Sequence, residues 1–278
     1  NGQGVARNSS AGIEIVPKTD KPGIDVIVKP GVKGKSVHIP VILTSGGFED
    51  VVYNTFEIGE NANVLVVAGC GIHNPGDKKS EHDGIHEFFV RRGARMKYVE
   101  KHYAQGEGSG ERVLNPKTII EVEEGGIAEL ELVQIRGVDR TKRDTEIRLG
   151  KGAHLVVTER LLTDAEQTAE SIINVELAGE GSTAQVVSRS VARDNSRQVF
   201  YFNLIGSNVS RGHIQCDAII MDKANVLSVP KISALHSEAQ LVHEAAIGKI
   251  ESEQMLKLMS LGLSEKEAED TILKGFLK

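Results

Sequence analysis

The stretch TEIRLGKGAHLVVTE, residues 145–159, alternates apolar and polar residues on both sides of a Gly-Lys-Gly turn. A period of two belongs to a strand, so the segment reads as strand, tight turn, strand, not as helix. The same unit recurs as FEIGENANVLVV (56–67), FFVRRGARMKYV (88–99), IIEVEEGGIAELELV (119–133) and NVELAGEGSTAQVVS (174–188). With the residue after each turn as marker, Ala62, Ala94, Ile127, Ala153 and Thr183 follow at steps of 32, 33, 26 and 30 residues. Each unit can bury only one face, so a period of this size predicts a stacked architecture. No helical stretch of ten or more residues interrupts residues 48–250. The expected fold is therefore mainly β, a β-solenoid; an ordinary β-sandwich is the alternative.

Composition narrows the function classes. The 278 residues carry a formal charge of −6 with acids and bases intermixed, which gives no reason to expect a nucleic-acid partner. No window reaches the roughly 18–20 apolar residues of a membrane span, and no signal-peptide pattern opens the chain. Two cysteines, Cys70 and Cys216, make no disulfide framework, so a reducing, cytoplasmic setting is expected. With 7 Phe, 4 Tyr and no Trp, aromatic platforms for bases or sugars are scarce. That, with no clustered Asp/Glu constellation, argues against a β-helix polysaccharide lyase or hydrolase. No G-x-x-x-x-G-K-[ST] loop occurs, so any ATP hydrolysis is expected to belong to a partner and not to this chain.

Three regions follow from the pattern. Residues 1–47 contain alternating runs (Ile24, Val26, Val28; Val37, Ile39, Val41, Leu43) and read as N-terminal lead-in strands, the remnant of a larger region. Because the chain begins at Asn1 and not Met, upstream sequence is expected to be missing. Residues 48–250 form the repeating core. Residues 251–278 change to helical spacing, with Met255, Leu258 and Met259, then Ala268, Ile272 and Phe276. Gly262 is placed to end a first helix, and Ser264 with Glu267 makes a capping box for a second. This helical hairpin has apolar stripes that need a surface, either the end of the solenoid or another protein.

Two clusters carry chemistry-bearing side chains. Cys70, His73, His82 and His86 lie within 17 residues, with ligand types suited to zinc or iron; the His-x3-His part reads as a Gly-rich loop entering a strand. The second cluster joins HIQCDAII to QLVHEAAIGKI. Alternation puts Ile214, Cys216, Ala218 and Ile220 on one face, which suits a small buried residue at Cys216. His243 and Glu244 are adjacent and point to opposite faces of their strand. The 27 residues from Cys216 to His243 are close to one repeat, so the pair is expected on neighbouring coils, about 5 Å apart in the stacking direction. Such a thiol, imidazole and carboxylate set suits iron or sulfur transfer.

The segments CDAIIMD, VP, AQLVHEAAIGKI and QMLKLMSLGLSEKEAEDTILKGF resemble the C-terminal signature of the SufB/SufD family of iron–sulfur cluster assembly proteins. NTFEIGENANVLVVAGC with IHEFFVRRGARMKYVEKHY is similar to an earlier motif of that family, and the likeness spans about residues 48–278. The chain looks like a short member lacking most of the N-terminal helical region. The resemblance implies a right-handed parallel β-helix with C-terminal helices, no enzymatic activity of its own, and dimerisation with itself or a SufB/SufD paralogue through the β-helix. It further implies docking of a SufC-like ABC-type ATPase at residues 251–278 and sulfur supplied by a cysteine desulfurase. Cys216 matches a family cysteine proposed to hold a transient iron–sulfur cluster, and His243 and Glu244 match the His-Glu beside it; this makes the three the implied cluster and metal ligands. Two departures stand out: Val242 replaces an often acidic neighbour, and Glu146 occupies the place of an interior cysteine thought to receive sulfur.

Overall fold

In the computed structural model, which describes residues 8–135 and 137–278, the chain winds into a parallel β-solenoid of about eight turns followed by two short helices. Each turn contributes one strand to each of two facing sheets. The first sheet contains β1 (Ile13–Pro17), β2 (Gly23–Val28), β4 (Glu49–Ile58), β6 (Ser80–Val90), β8 (Arg112–Leu114), β9 (Lys117–Val122), β11 (Arg140–Leu149), β13 (Thr168–Leu177), β15 (Arg197–Gly206) and β17 (Asn225–Ala234). The second contains β3 (Lys33–Leu43), β5 (Asn63–His73), β7 (Arg95–Gln105), β10 (Ile127–Gln134), β12 (His154–Thr163), β14 (Ser182–Ala192), β16 (Ser210–Ile220) and β18 (Ala239–Gly248). Neighbouring strands are parallel except at the first edge, where β1 folds back antiparallel on β2. The N-terminal strands join the same two sheets, β2 on β4 and β3 on β5. Residues 1–7 of the lead-in segment lie outside the described residues.

The alternation in the sequence becomes a core. Ile58, Val90, Val122, Leu149 and Leu177 are direct register partners from coil to coil, and all are buried. Each such side chain contributes about 1.5–3 kcal/mol of hydrophobic stabilisation. The turns stack as well. Asn61, Gly93, Gly125, Gly152 and Gly181 occupy one corner, each with positive φ between 56° and 73°. All five donate a backbone N–H to the turn of the next coil. A left-handed residue is needed there, which explains the glycines and the one asparagine.

The true steps at this corner are 32, 32, 27 and 29 residues (Asn63 to Arg95, Ile127, His154 and Thr183 in turn). Ile127 and Thr183 each stand one place beyond the column of Ala62, Ala94 and Ala153, which is continued by Gly126 and Ser182. A double glycine and a longer turn shift the marker without shifting the stack.

At the far end, α1 (Ser252–Ser260) and α2 (Glu265–Phe276) form the expected hairpin. Gly262, at φ +95°, turns the chain after α1, and the capping box of Ser264 and Glu267 is formed at the start of α2. Leu273, with Phe276 and Leu277, packs on Val191 and Ile219 at the ends of β14 and β16, so α2 lies against the flank of the solenoid. α1 buries none of its residues. No helix among the described residues is long and apolar enough to cross a membrane.

Candidate functional site

The interior of the solenoid is not uniformly apolar. Between the coils of β4 to β14 lies a chain of buried polar groups: Asp50, His82, His86, Tyr98, Glu100, His102, Arg143, Glu159, Ser171 and Ser188. β6 is a continuous strand, so His82 and His86 stand on it and not in a loop. Residues 80, 82, 84, 86, 88 and 90 all face inward, and the strand's even parity carries both imidazoles into the core. Cys70 on β5 faces the same interior, directly opposite His102 of β7 in the ladder. His73, at the end of β5, is exposed and separate from them.

The network has defined partners. His82 Nδ1 is 3.1 Å from Asp50 Oδ2, and His86 Nδ1 is 2.8 Å from the Tyr98 hydroxyl. Arg143 pairs with Glu100, and its Nε lies 3.6 Å from Glu159 Oε1. His102 Nε2 is 3.3 Å from the other Glu100 oxygen. Ser171 and Ser188 donate to the two oxygens of Glu159 at 2.6 and 2.7 Å. Burial alone would raise the Glu100 carboxyl, but Arg143 and then His102 outweigh it and hold it well below the usual range. Burial lowers His86 to about 4, so its imidazole is neutral. Burial also lowers His82, with Asp50 acting in the opposite sense. The Cys70 thiol is pushed well up, first by burial and then by Glu100, so it is an inert thiol as it stands.

The second cluster lies at the last two coils. Cys216 on β16 is 0% exposed and Ala245 is its direct partner on β18, while His243 pairs with Ile214. The coil-to-coil step here is 29 residues, not 27, so His243 sits diagonally from Cys216, about 7 Å along the strand. Both face inward, yet Glu244 does not join them. It is exposed on the outer face, with Oε2 3.4 Å from His213 Nε2. Burial drives the Cys216 thiol up to about 12, with the Ser228 hydroxyl acting in the opposite sense. His243 is lowered by burial and by His213, and its Nε2 is buried with no hydrogen-bond partner.

Glu146 also faces outward, 2.9 Å from Lys117; Thr145 and Ile147 are the inward neighbours. The expected interior position therefore belongs to a surface ion pair. Val242 is exposed on the outer face of β18. Among the described residues, no three His, Cys, Asp or Glu side chains converge closely enough to hold a metal ion as they stand.

Asp50, Glu100, His102, Arg143 and Glu159 escaped the sequence reading. The available signal was parity: in RMKYVEKHY the polar Glu100 and His102 share the inward phase of Met96 and Tyr98.

Residues 43–276 match the family model described as SUF system FeS cluster assembly, SufBD core domain. The chain belongs to the SufB/SufD family. An iron–sulfur cluster assembly SufBD family protein of Methanocaldococcus jannaschii is 28% identical over 255 residues, covering 91% of this chain and 79% of that protein. A SufBD family protein of Pyrococcus horikoshii is 26% identical over 283 residues, covering 98% and 83%. The iron–sulfur cluster assembly protein SufB of Bacillus subtilis is 29% identical over 130 residues, covering 46% of this chain and 26% of that protein. The chain spans 66% of its Archaeoglobus fulgidus relative. Membership of this family gives the chain a role in iron–sulfur cluster assembly.

Proposed function

We propose that this SufBD protein is a non-catalytic scaffold on which a nascent iron–sulfur cluster is held between two solenoids joined at their last coils. The observation that carries this reading is the unfinished state of that coil. β17 and β18 end their sheets with unpaired edges, and Leu227, Val229 and Ile232 of β17 remain 43, 40 and 42% exposed. An exposed apolar edge strand is a template for pairing with another chain. Just inside it sit Cys216 and His243, with Glu244 and His213 on the outer surface of the same strands. One chain supplies too few donors for a cluster. Two chains meeting at this edge double the thiolate, imidazole and carboxylate count, and iron coordination removes the thiol proton that burial otherwise retains.

In this reading sulfur comes from a cysteine desulfurase. ATP is hydrolysed by a SufC-like ABC-type subunit seated on α1, where Leu256, Met259 and Leu261 are exposed. The partner across the edge is a second copy or a SufB/SufD paralogue. A charge on the edge strand tests the arrangement, because Lys there opposes edge pairing. Val229→Lys is expected to convert a dimer to monomer in analytical ultracentrifugation and to lower the cluster retained after anaerobic reconstitution. A dimer of unchanged strength would remove β17 from the interface.

A second reading, a SufD-like subunit that positions the ATPase and carries no cluster, is favoured by the complete burial and high pKa of the Cys216 thiol. Tight binding of the ATPase through residues 251–278 without cluster retention would decide for it.

A further inference from the structure

The polar interior is rich in metal-ligand types. Among the described residues it buries the carboxylates Asp50, Glu100 and Glu159 and the imidazoles His82, His86 and His102 beside the guanidinium of Arg143. Carboxylate and imidazole donors together suit a divalent transition-metal cation.

The geometry indicates where that cation binds. His82, Gly84 and His86 follow one another on the inward face of β6. A Cβ on Gly84 would lie 3.5 Å from His82 Nε2 and 3.3 Å from His86 Nε2, so both ring nitrogens border the space that glycine leaves open. His82 Nε2 is buried without a hydrogen-bond partner. Its other nitrogen is held by Asp50, the carboxylate–histidine arrangement that fixes the tautomer and raises the basicity of a metal-binding imidazole. His86 Nδ1 lies 2.8 Å from the Tyr98 hydroxyl, and its Nε2 is the ring nitrogen that faces the space over Gly84. Cys70 and Glu100 line the same cavity.

We propose that His82 and His86 form an internal site for one divalent transition-metal cation, ferrous iron or zinc, bound through their Nε2 atoms over Gly84. Ring rotations bring the nitrogens to about 2.0–2.1 Å from the ion, and Glu100 or Cys70 completes the coordination. The site lies within the body of the solenoid and is independent of the cluster-scaffold reading, which rests on the last coil.

Because the site is enclosed, metal is offered during refolding from denaturant under anaerobic conditions, using Zn(II), Fe(II) and Co(II) separately. Bound metal is counted after desalting, and Co(II) absorption reports the ligands. The wild-type chain and a Cys216→Ser/His243→Ala variant are each expected to keep about one equivalent of metal. His82→Ala and His86→Ala are expected to weaken binding at least tenfold, and Asp50→Asn about 10–100-fold. Gly84→Ala keeps both imidazoles and fills the space, and it too is expected to lose the metal while circular dichroism reports a folded chain. Retention below a tenth of an equivalent by wild type would overturn the proposal, as would retention unchanged by His82→Ala, His86→Ala and Gly84→Ala.

Discussion

Cys70 and Cys216 both face the interior from the second sheet, two register positions apart, and differ in what closes over them. Each faces inward from the second sheet and each is buried, yet Cys70 lies opposite His102 in a network closed by coils on both sides. Cys216 is flanked by Ser188 on one coil and Ala245 on the next, and beyond Ala245 the solenoid stops. The contrast teaches that burial alone does not define a thiol's chemistry. The Cys70 region is arranged to hold charge permanently, whereas the Cys216 region is one coil from an edge that another chain can cover.

The largest expected effect separates the two regions by stability. Arg143→Met leaves Glu100 and Glu159 buried without their cation, and urea unfolding is expected to show a loss of about 3–5 kcal/mol. A value near zero would mean that the network is hydrated and not closed. Next comes the shared apolar stack. Leu149→Ala, at a fully buried column position, is expected to cost about 2–5 kcal/mol, whereas Val229→Ser on the open coil is expected to change monomer stability by less than about 1 kcal/mol. Similar losses at both would contradict the view of the last coil as an unfinished edge.

Thiol reactivity sharpens the contrast further. A Cys216 pKa of about 12 leaves a thiolate fraction of only about 10⁻⁴ at pH 8, against about a quarter for an ordinary cysteine. Alkylation of the native chain at pH 8, followed by mass spectrometry, is expected to be more than 100-fold slower than after unfolding. The linked sign is a loss of stability as pH rises from about 9 towards 12, because the unfolded thiol ionises first. Cys216→Ala is expected to remove that part of the slope. The smallest effect belongs to the helical hairpin: Ser264→Ala removes the cap of α2 and is expected to cost about 1 kcal/mol, seen as faster amide exchange in its first turn.

Much of this architecture was legible because it rests on local rules. Period-two alternation identifies strands, glycine marks the left-handed corner, and Ser264 with Glu267 announces a helix start. What could not be read locally depends on register. A coil step of 29 residues, against the 27 that separate the two residues, places His243 diagonally from Cys216. The buried network stayed hidden for a related reason. Glu100 and Arg143 come from strands 43 residues apart, and only stacking shows that each neutralises the other.

The scaffold reading stands or falls on which cysteine holds iron at the interface. The direct test is anaerobic reconstitution of wild type, Cys216→Ser and Cys70→Ser with ferrous iron and sulfide, with cluster content followed by Mössbauer spectroscopy. The account predicts that cluster forms in wild type and in Cys70→Ser and is lost in Cys216→Ser. Equal cluster content in wild type and Cys216→Ser, or a loss confined to Cys70→Ser, would contradict it.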